Sequence, residues 1–199
     1  MKFLVFDMYG VIIEESKGKF TPFVYSHFRD LDKTYFRELY IKASTGVIDS
    51  DNFFATLGFT DPQASKCDYI EKHLTLDKGF IPFAEKFSGK YQFALLSNDV
   101  KAWSEHIRSF HNIDRYFTHI VISADAGCRK PGREIFEIAL TKMQTAAKNC
   151  IFIDNSVQNL VTASEVGMDT ILFNRDGEEY DGKIVNSFEE LAIVLSEVI

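Results

Sequence analysis

Lys2-Phe3-Leu4-Val5-Phe6-Asp7-Met8-Tyr9-Gly10-Val11-Ile12-Ile13 opens the chain, and its reading decides the fold. Four apolar residues, Phe3 to Phe6, run straight into a carboxylate and then a glycine-containing turn. The run is too short for a helix and too apolar for a strand with one wet face. It predicts a central strand of a parallel sheet, buried on both sides. Asp7 then falls beyond the strand end, in the crevice where open α/β sheets bind ligands. It is the first candidate for chemistry, with a turn-capping role as the alternative on this stretch alone.

Strand signals return only after residue 80. Phe93 to Ser97, Ile120 to Ser123, Cys150 to Asp154 and Thr170 to Phe173 read as short buried strands. Between them Asp99 to His111, Pro131 to about Ala146, and Ser156 to Val166 (stopped at Gly167) read as helices, and Ser187-Phe188-Glu189-Glu190 matches a capping box opening a last helix. This alternation predicts βαβ units and a doubly wound, Rossmann-like parallel α/β sheet with all strand C-termini on one edge.

The intervening stretch has another character. Phe20, Phe23, Val24, His27 and Phe28, then Tyr35, Phe36, Leu39 and Tyr40, recur at helical spacing. Thr21-Pro22 reads as an N-cap followed by the first helical residue, and Asp51 to Leu57 and Asp61-Pro62 to His73 as two further helices. Residues 14–79 are thus expected to form a small all-helical insertion. Its aromatics (Phe20, Phe23, Phe28, Phe36, Phe53, Phe54) are expected to be packing residues rather than a substrate box.

Composition narrows the function. The 199 residues carry 22 Lys and Arg against 29 Asp and Glu, a net charge of −7, with no dense basic block. That argues against nucleic-acid binding, whose affinity rests on basic phosphate contacts. A hydrophobic fraction of 46% with 19 Phe supports a packed core. No apolar run approaches the roughly 20 residues of a membrane span, and Asp7 with no cleavage site after it argues against a signal peptide. Cys67, Cys128 and Cys150 are odd in number and share no close metal spacing, so free thiols in a reducing cytoplasm are expected. The sequence carries no signature of oligomeric state.

Asp7, Ser97 with Asn98, Lys130, and Asp154 with Asn155 all fall at or just beyond predicted strand ends. Ser97 and Asn98 could instead cap a helix, Lys130 could be a solvated lysine, and Asp154 could be an N-cap. Four such groups at one topological position point to a site.

Phe6-Asp7-Met8-Tyr9-Gly10-Val11, Leu95-Leu96-Ser97-Asn98, Arg129-Lys130-Pro131 and Phe152-Ile153-Asp154-Asn155-Ser156 resemble, in order, the four motifs of the haloacid dehalogenase-like hydrolases. The resemblance covers residues 1–13 and 80–199 as the core domain, and puts 14–79 where that family carries a helical cap. It implies that Asp7 is the nucleophile of a covalent aspartyl intermediate. Ser97 would donate to a substrate oxygen, and Lys130 would neutralise Asp7 and the bound phosphate. Met8, Tyr9, Ser97, Asn98 and Lys130 would face the substrate, the first two through backbone N–H groups. Asp7, Asp154, Asn155 and the Tyr9 carbonyl would supply oxygen ligands to Mg2+. Cap closure would hinge near 13–18 and 77–82.

The pattern departs from the family's phosphatases at Tyr9, where a second Asp usually serves as general acid/base, a role worth about 10²–10⁴-fold. A phenol with an ordinary pKa of about 10 is a poor base at neutral pH. Asp-x-Tyr-Gly resembles the dehalogenases, which use no metal, while Val11 and the retained Asp154 resemble the phosphatases. Asn155 lacks the charge of a second acid, and Gly132 replaces an Asp often found after Lys-Pro. The leading expectation is a Mg2+-dependent phosphatase of a small phosphorylated metabolite that favours good leaving groups. The alternatives are a metal-independent 2-haloacid dehalogenase-type hydrolase and a catalytically decayed binding protein.

Overall fold

β1 (Phe3–Phe6) is buried along its whole length and pairs on both sides. It lies parallel to β2 (Gln92–Ser97), with Phe6 opposite Leu95, and parallel to β4 (Cys150–Asp154), with Phe6 opposite Ile153. Adding β3 (Phe117–Ile122), β5 (Asp169–Phe173) and β6 (Lys183–Val185) gives a six-stranded parallel sheet in the order β3-β2-β1-β4-β5-β6. The chain winds outward from β1 to β3 and then crosses back to β4. The order therefore reverses beside β1, and the crevice at its end is the switch point where ligands bind in such sheets. The expected α/β class holds. This computed structural model describes residues 2–15 and 18–196. The expected hinge at 13–18 and the expected core segments 1–13 and 80–199 include residues 1, 16, 17 and 197–199, which lie outside the described ones.

Four helices, α1 (Phe20–His27), α2 (Lys33–Ser44), α3 (Ser50–Leu57) and α4 (Pro62–His73), occupy the insertion between β1 and β2. Asp49 and Asp61 cap α3 and α4 by accepting from Asn52 N and Ala64 N. The expected Thr21 cap is absent: α1 already begins at Phe20, and Pro22 sits in the first turn, where its missing N–H is no loss. The helices pack through aromatics. Phe20 lies 4.8 Å from Tyr69, 5.8 Å from Phe53 and 5.9 Å from Phe36, ring centroid to ring centroid. The two chain crossings into the insertion are laced together, since Glu14 N donates to Thr75 O and Asp77 N to Ile12 O, both at 2.9 Å.

Successive strand residues point to opposite faces. Leu4, Phe6, Phe93, Leu95, Ile153 and Phe173 face one core with α5 (Phe80–Phe87), α6 (Lys101–Phe110) and α10 (Phe188–Ser196). Val5, Ala94, Leu96, Phe152 and Leu172 face the other, under α8 (Arg133–Met143) and α9 (Val157–Val166), with the single turn α7 (Ser123–Ala126) at the end of β3. Each fully buried Phe or Leu contributes about 1.5–3 kcal/mol. The inserted helices rest on α6, where Trp103 packs 4.7 Å from Phe20 and donates through Nε1 to Ser50 Oγ at 2.8 Å.

Several boundaries move. The helix expected from Asp99 starts at Lys101, because Val100 takes an extended conformation and both Asp99 and Val100 are buried. β3 starts three residues before Ile120 and stops before Ser123, which opens α7. α8 is shorter than expected: Gly132 N closes a turn onto Arg129 O before it, and Gln144 takes a left-handed conformation after it. Among the described residues no helix is long and apolar enough to cross a membrane.

Candidate active site

Asp7 completes the β1 ladder by donating its N–H to Ile153 O at 2.9 Å, and the chain then leaves the sheet in a turn. Gly10 is held at φ +76°, and a Cβ placed there would stand 2.4 Å from Asn155 Nδ2. Only glycine lets the first loop lie this close to the fourth. Arg175, just after β5, donates to Gly10 O and Val11 O, each at 3.0 Å, and pairs with Asp77. The turn is thereby pinned to the sheet edge.

Lys130 is buried with its Nζ 2.9 Å from Asp7 Oδ1 and 2.7 Å from Asp154 Oδ2. Burial alone would lower the ammonium's pKa, but the two carboxylates outweigh it and hold it above the usual lysine range. Burial pushes Asp7 up to about 6, with the like charge of Asp154 adding to it and Lys130 and the Met8 N–H opposing it. Asp154 accepts from Ser156 N at 2.8 Å and, through both oxygens, from Asn159 Nδ2 at 3.2 and 3.0 Å. Asn98 grips the Lys130 backbone: Nδ2 donates to its carbonyl at 2.8 Å, and Oδ1 accepts its N–H at 2.9 Å.

Asp7, Tyr9, Asn98, Lys130 and Asn155 border one cavity of about 300 Å³. Met8, Ser97 and Asp154 are fully buried behind it. Ser97 Oγ has no hydrogen-bond partner among the described residues. Two expected contacts differ. The Met8 N–H donates to Asp7 Oδ1 at 2.7 Å, and both polar ends of Asn98 are committed to Lys130, so neither is turned outward in this structure.

Tyr9 meets a residue that sequence reading placed in a helix. Asp99 is fully buried, its Oδ1 accepts Val100 N–H at 2.7 Å, and its Oδ2 lacks a well-formed partner among the described residues. Burial pushes its carboxyl up to about 8, so it is largely protonated at neutral pH. The Tyr9 phenol lies against it and is itself driven well above its ordinary pKa, by burial first and by Asp99 second. Tyr9 is therefore no base near neutrality.

The rest of the wall combines aromatics (Phe20, Tyr40, Tyr69 and Trp103) with Gly18, Ser156, Asn159 and two charged residues, the buried Glu15 and Arg129, whose guanidinium lies 5.5 Å from the Tyr40 ring centroid. Arg129 was legible beside Lys130 and Asn159 three residues after the last motif, although neither was expected in the site. The aromatics gave no such signal, because three separate inserted helices and α6 supply them.

A sequence model of the haloacid dehalogenase-like hydrolases matches residues 1–167. The sesquiterpene phosphatase astK of Aspergillus oryzae is 26% identical over 181 residues, 84% of this chain and 87% of that protein. A glyceraldehyde 3-phosphate phosphatase of Pyrococcus abyssi is 34% identical over 77 residues, 38% of this chain and 32% of that protein. In fold, the chain resembles a HAD family enzyme of Bacteroides thetaiotaomicron crystallised with magnesium and inorganic phosphate: the TM-score is 0.75 at 20% identity, with 91% of this chain and 98% of that one covered.

Proposed function

The chain belongs to the haloacid dehalogenase-like hydrolases, and on that premise we propose that it is a Mg2+-dependent phosphatase of a small phosphorylated metabolite, with Asp7 as nucleophile. One observation carries the reading: two buried carboxylates, Asp7 and Asp154, share the single ammonium of Lys130. Two negative charges against one positive leave this cluster one charge short of neutral, the cavity's other two charged residues, Glu15 and Arg129, offsetting each other, and a buried excess charge is costly. A phosphate would deepen the deficit; a divalent cation removes it.

The donor set fits Mg2+, since Asp7, Asp154, Asn155 and the Tyr9 carbonyl offer only hard oxygen atoms. Bound there, Mg2+ supplies charge neutralisation for the phosphoryl oxygens. The chain's own residues do the rest. An Asp7 carboxylate oxygen forms a bond to phosphorus as the ester oxygen leaves with its electron pair, and water later cleaves the aspartyl phosphate. Lys130 offsets charge on Asp7 and the phosphate, and Ser97 Oγ, buried without a partner among the described residues, is a donor left for a phosphoryl oxygen. Arg129 and the aromatic wall bind the leaving-group side. Three free thiols, Cys67, Cys128 and Cys150, suit a cytoplasmic setting.

Tyr9 favours the second reading, halide release, because halide needs no proton. The test offers an activated aryl phosphate and a 2-haloacid, each with Mg2+ and with chelator. Mg2+-dependent phosphate release that disappears in Asp7→Asn supports the phosphatase. Halide release that survives chelation overturns it.

A further inference from the structure

Away from the catalytic cavity, α4 and α6 bring three chemically unlike side chains together. Cys67 and Glu71 lie one turn apart on α4, and His106 faces them from α6. The Cys67 thiol, a Glu71 carboxylate oxygen and an imidazole nitrogen of His106 lie within 4.8 Å of one another, and His106 Nε2 is 2.8 Å from Glu71 Oε1. None of the three borders the catalytic cavity. We propose that Cys67, Glu71 and His106 form a zinc-binding site that fastens α4 to α6.

The donor types decide the metal. Thiolate, imidazole and carboxylate are the ligands of zinc, with bonds of about 2.0–2.3 Å. Mg2+ prefers oxygen alone and is not drawn to sulfur. Donors sharing such an ion stand closer than 4.8 Å, so the side chains need only turn inward from where the fold already holds them. Cys67 and Glu71, four positions apart, share a helix face. Three protein ligands leave a fourth position for water. On binding, the thiol proton and any proton on the coordinating imidazole nitrogen go to solvent, and the Glu71 contact to His106 is exchanged for bonds to the metal.

The position gives the site a consequence. α4 carries Tyr69 and α6 carries Trp103, both in the wall of the catalytic cavity. A metal bound by one ligand pair from α4 and a third ligand from α6 ties these two wall-bearing helices together. No compact motif announces it, since the third ligand comes from the far side of β2, and cysteine spacing alone gave no metal signal.

The full chain, kept in excess Mg2+ and a non-thiol reductant so that the oxygen site is occupied, is titrated with Co2+ as a spectroscopic stand-in for zinc. A near-ultraviolet thiolate-to-cobalt band should rise to saturation at one equivalent and vanish when zinc is added. Cys67→Ser should lose the band, Cys128→Ser should keep it, and His106→Gln should weaken Co2+ binding by more than about tenfold. Zinc should raise the Tm of the parent chain but not of Cys67→Ser. Absence of the band in the parent chain, or its persistence in a folded Cys67→Ser variant, overturns the site. Phosphate release plays no part in this readout, so the result is independent of the phosphatase reading.

Discussion

The carboxamide of Asn98 holds the Lys130 peptide from both ends, donating to its carbonyl at 2.8 Å and accepting its N–H at 2.9 Å. The ammonium at the tip of the same residue lies between Asp7 and Asp154. The second loop of the site thus fixes the third, and the third fixes the charge between the first and the fourth.

Asn98→Ala should therefore lower kcat by as much as about 10²-fold, the effect of a small misplacement of a catalytic group, with a lesser change in KM. Asn98→Asp keeps an acceptor for the Lys130 N–H but loses the donor, and should fall between. Steady-state kinetics on an aryl phosphate check the order of the three.

Lys130→Met leaves two buried carboxylates facing each other without a cation. Loss of one partner of a buried pair costs about 3–5 kcal/mol, and urea unfolding in chelator should show a loss of that size. Adding Asp154→Asn removes the repulsion and should recover part of it. A single substitution that leaves the urea midpoint unmoved would contradict the charge arrangement described.

Asp99 sets a pH dependence of stability. Its folded pKa of about 8 lies above the ordinary 3.8, so between these values the folded chain holds a proton that the unfolded chain has released. Its contribution is greatest below pH 3.8 and is lost as pH rises through about 8. Asp99→Asn, neutral in both states, should flatten the fall of Tm between pH 5 and 8 measured in chelator. Each kcal/mol regained at pH 8 corresponds to about 2–4 °C for a chain of this size. Parallel curves for the two proteins would count against the buried neutral carboxyl.

Gly10→Ala places a methyl 2.4 Å from Asn155 Nδ2 at a backbone angle of +76°. The left-handed conformation alone costs about 1–2 kcal/mol for a residue with a Cβ. Asn155 must move, and Mg2+ affinity followed by calorimetry should fall by about tenfold or more, a loss of the size seen when ligand orientation is disturbed. Asn155→Ala in the same chain removes the clash, so stability, unlike metal affinity, should partly return.

Much of the fold was legible because it rests on short-range signals. Phe3 to Phe6 and Cys150 to Asp154 are apolar runs closed by a carboxylate, and both are strands with those bounds. α5 and β6 were missed: Pro82 breaks the helical signal of an eight-residue helix, and β6 has only three residues. The groups gathered at the sheet edge follow from strand ends, which periodicity locates. Asp99 did not, since its role depends on burial beneath the inserted helices, and its place two residues after Ser97 reads equally well as a helix start. The aromatics Phe20, Phe23, Phe28, Phe36, Phe53 and Phe54 of the insertion were expected to be packing residues. Phe23, Phe36, Phe53 and Phe54 are buried that way, while Phe20 serves both purposes.

That double service limits how the protein can diversify. Phe20, Tyr69 and Trp103 are almost fully buried in the layer that joins the inserted helices to α6, yet they also shape the cavity. Truncating such a residue removes about 3–5 kcal/mol of stability, a large share of what a domain possesses. Reshaping the cavity through these positions therefore draws on the same packing that keeps the chain folded. Arg129 borders the cavity without belonging to that hydrophobic foundation, so it can be exchanged at a smaller cost in stability.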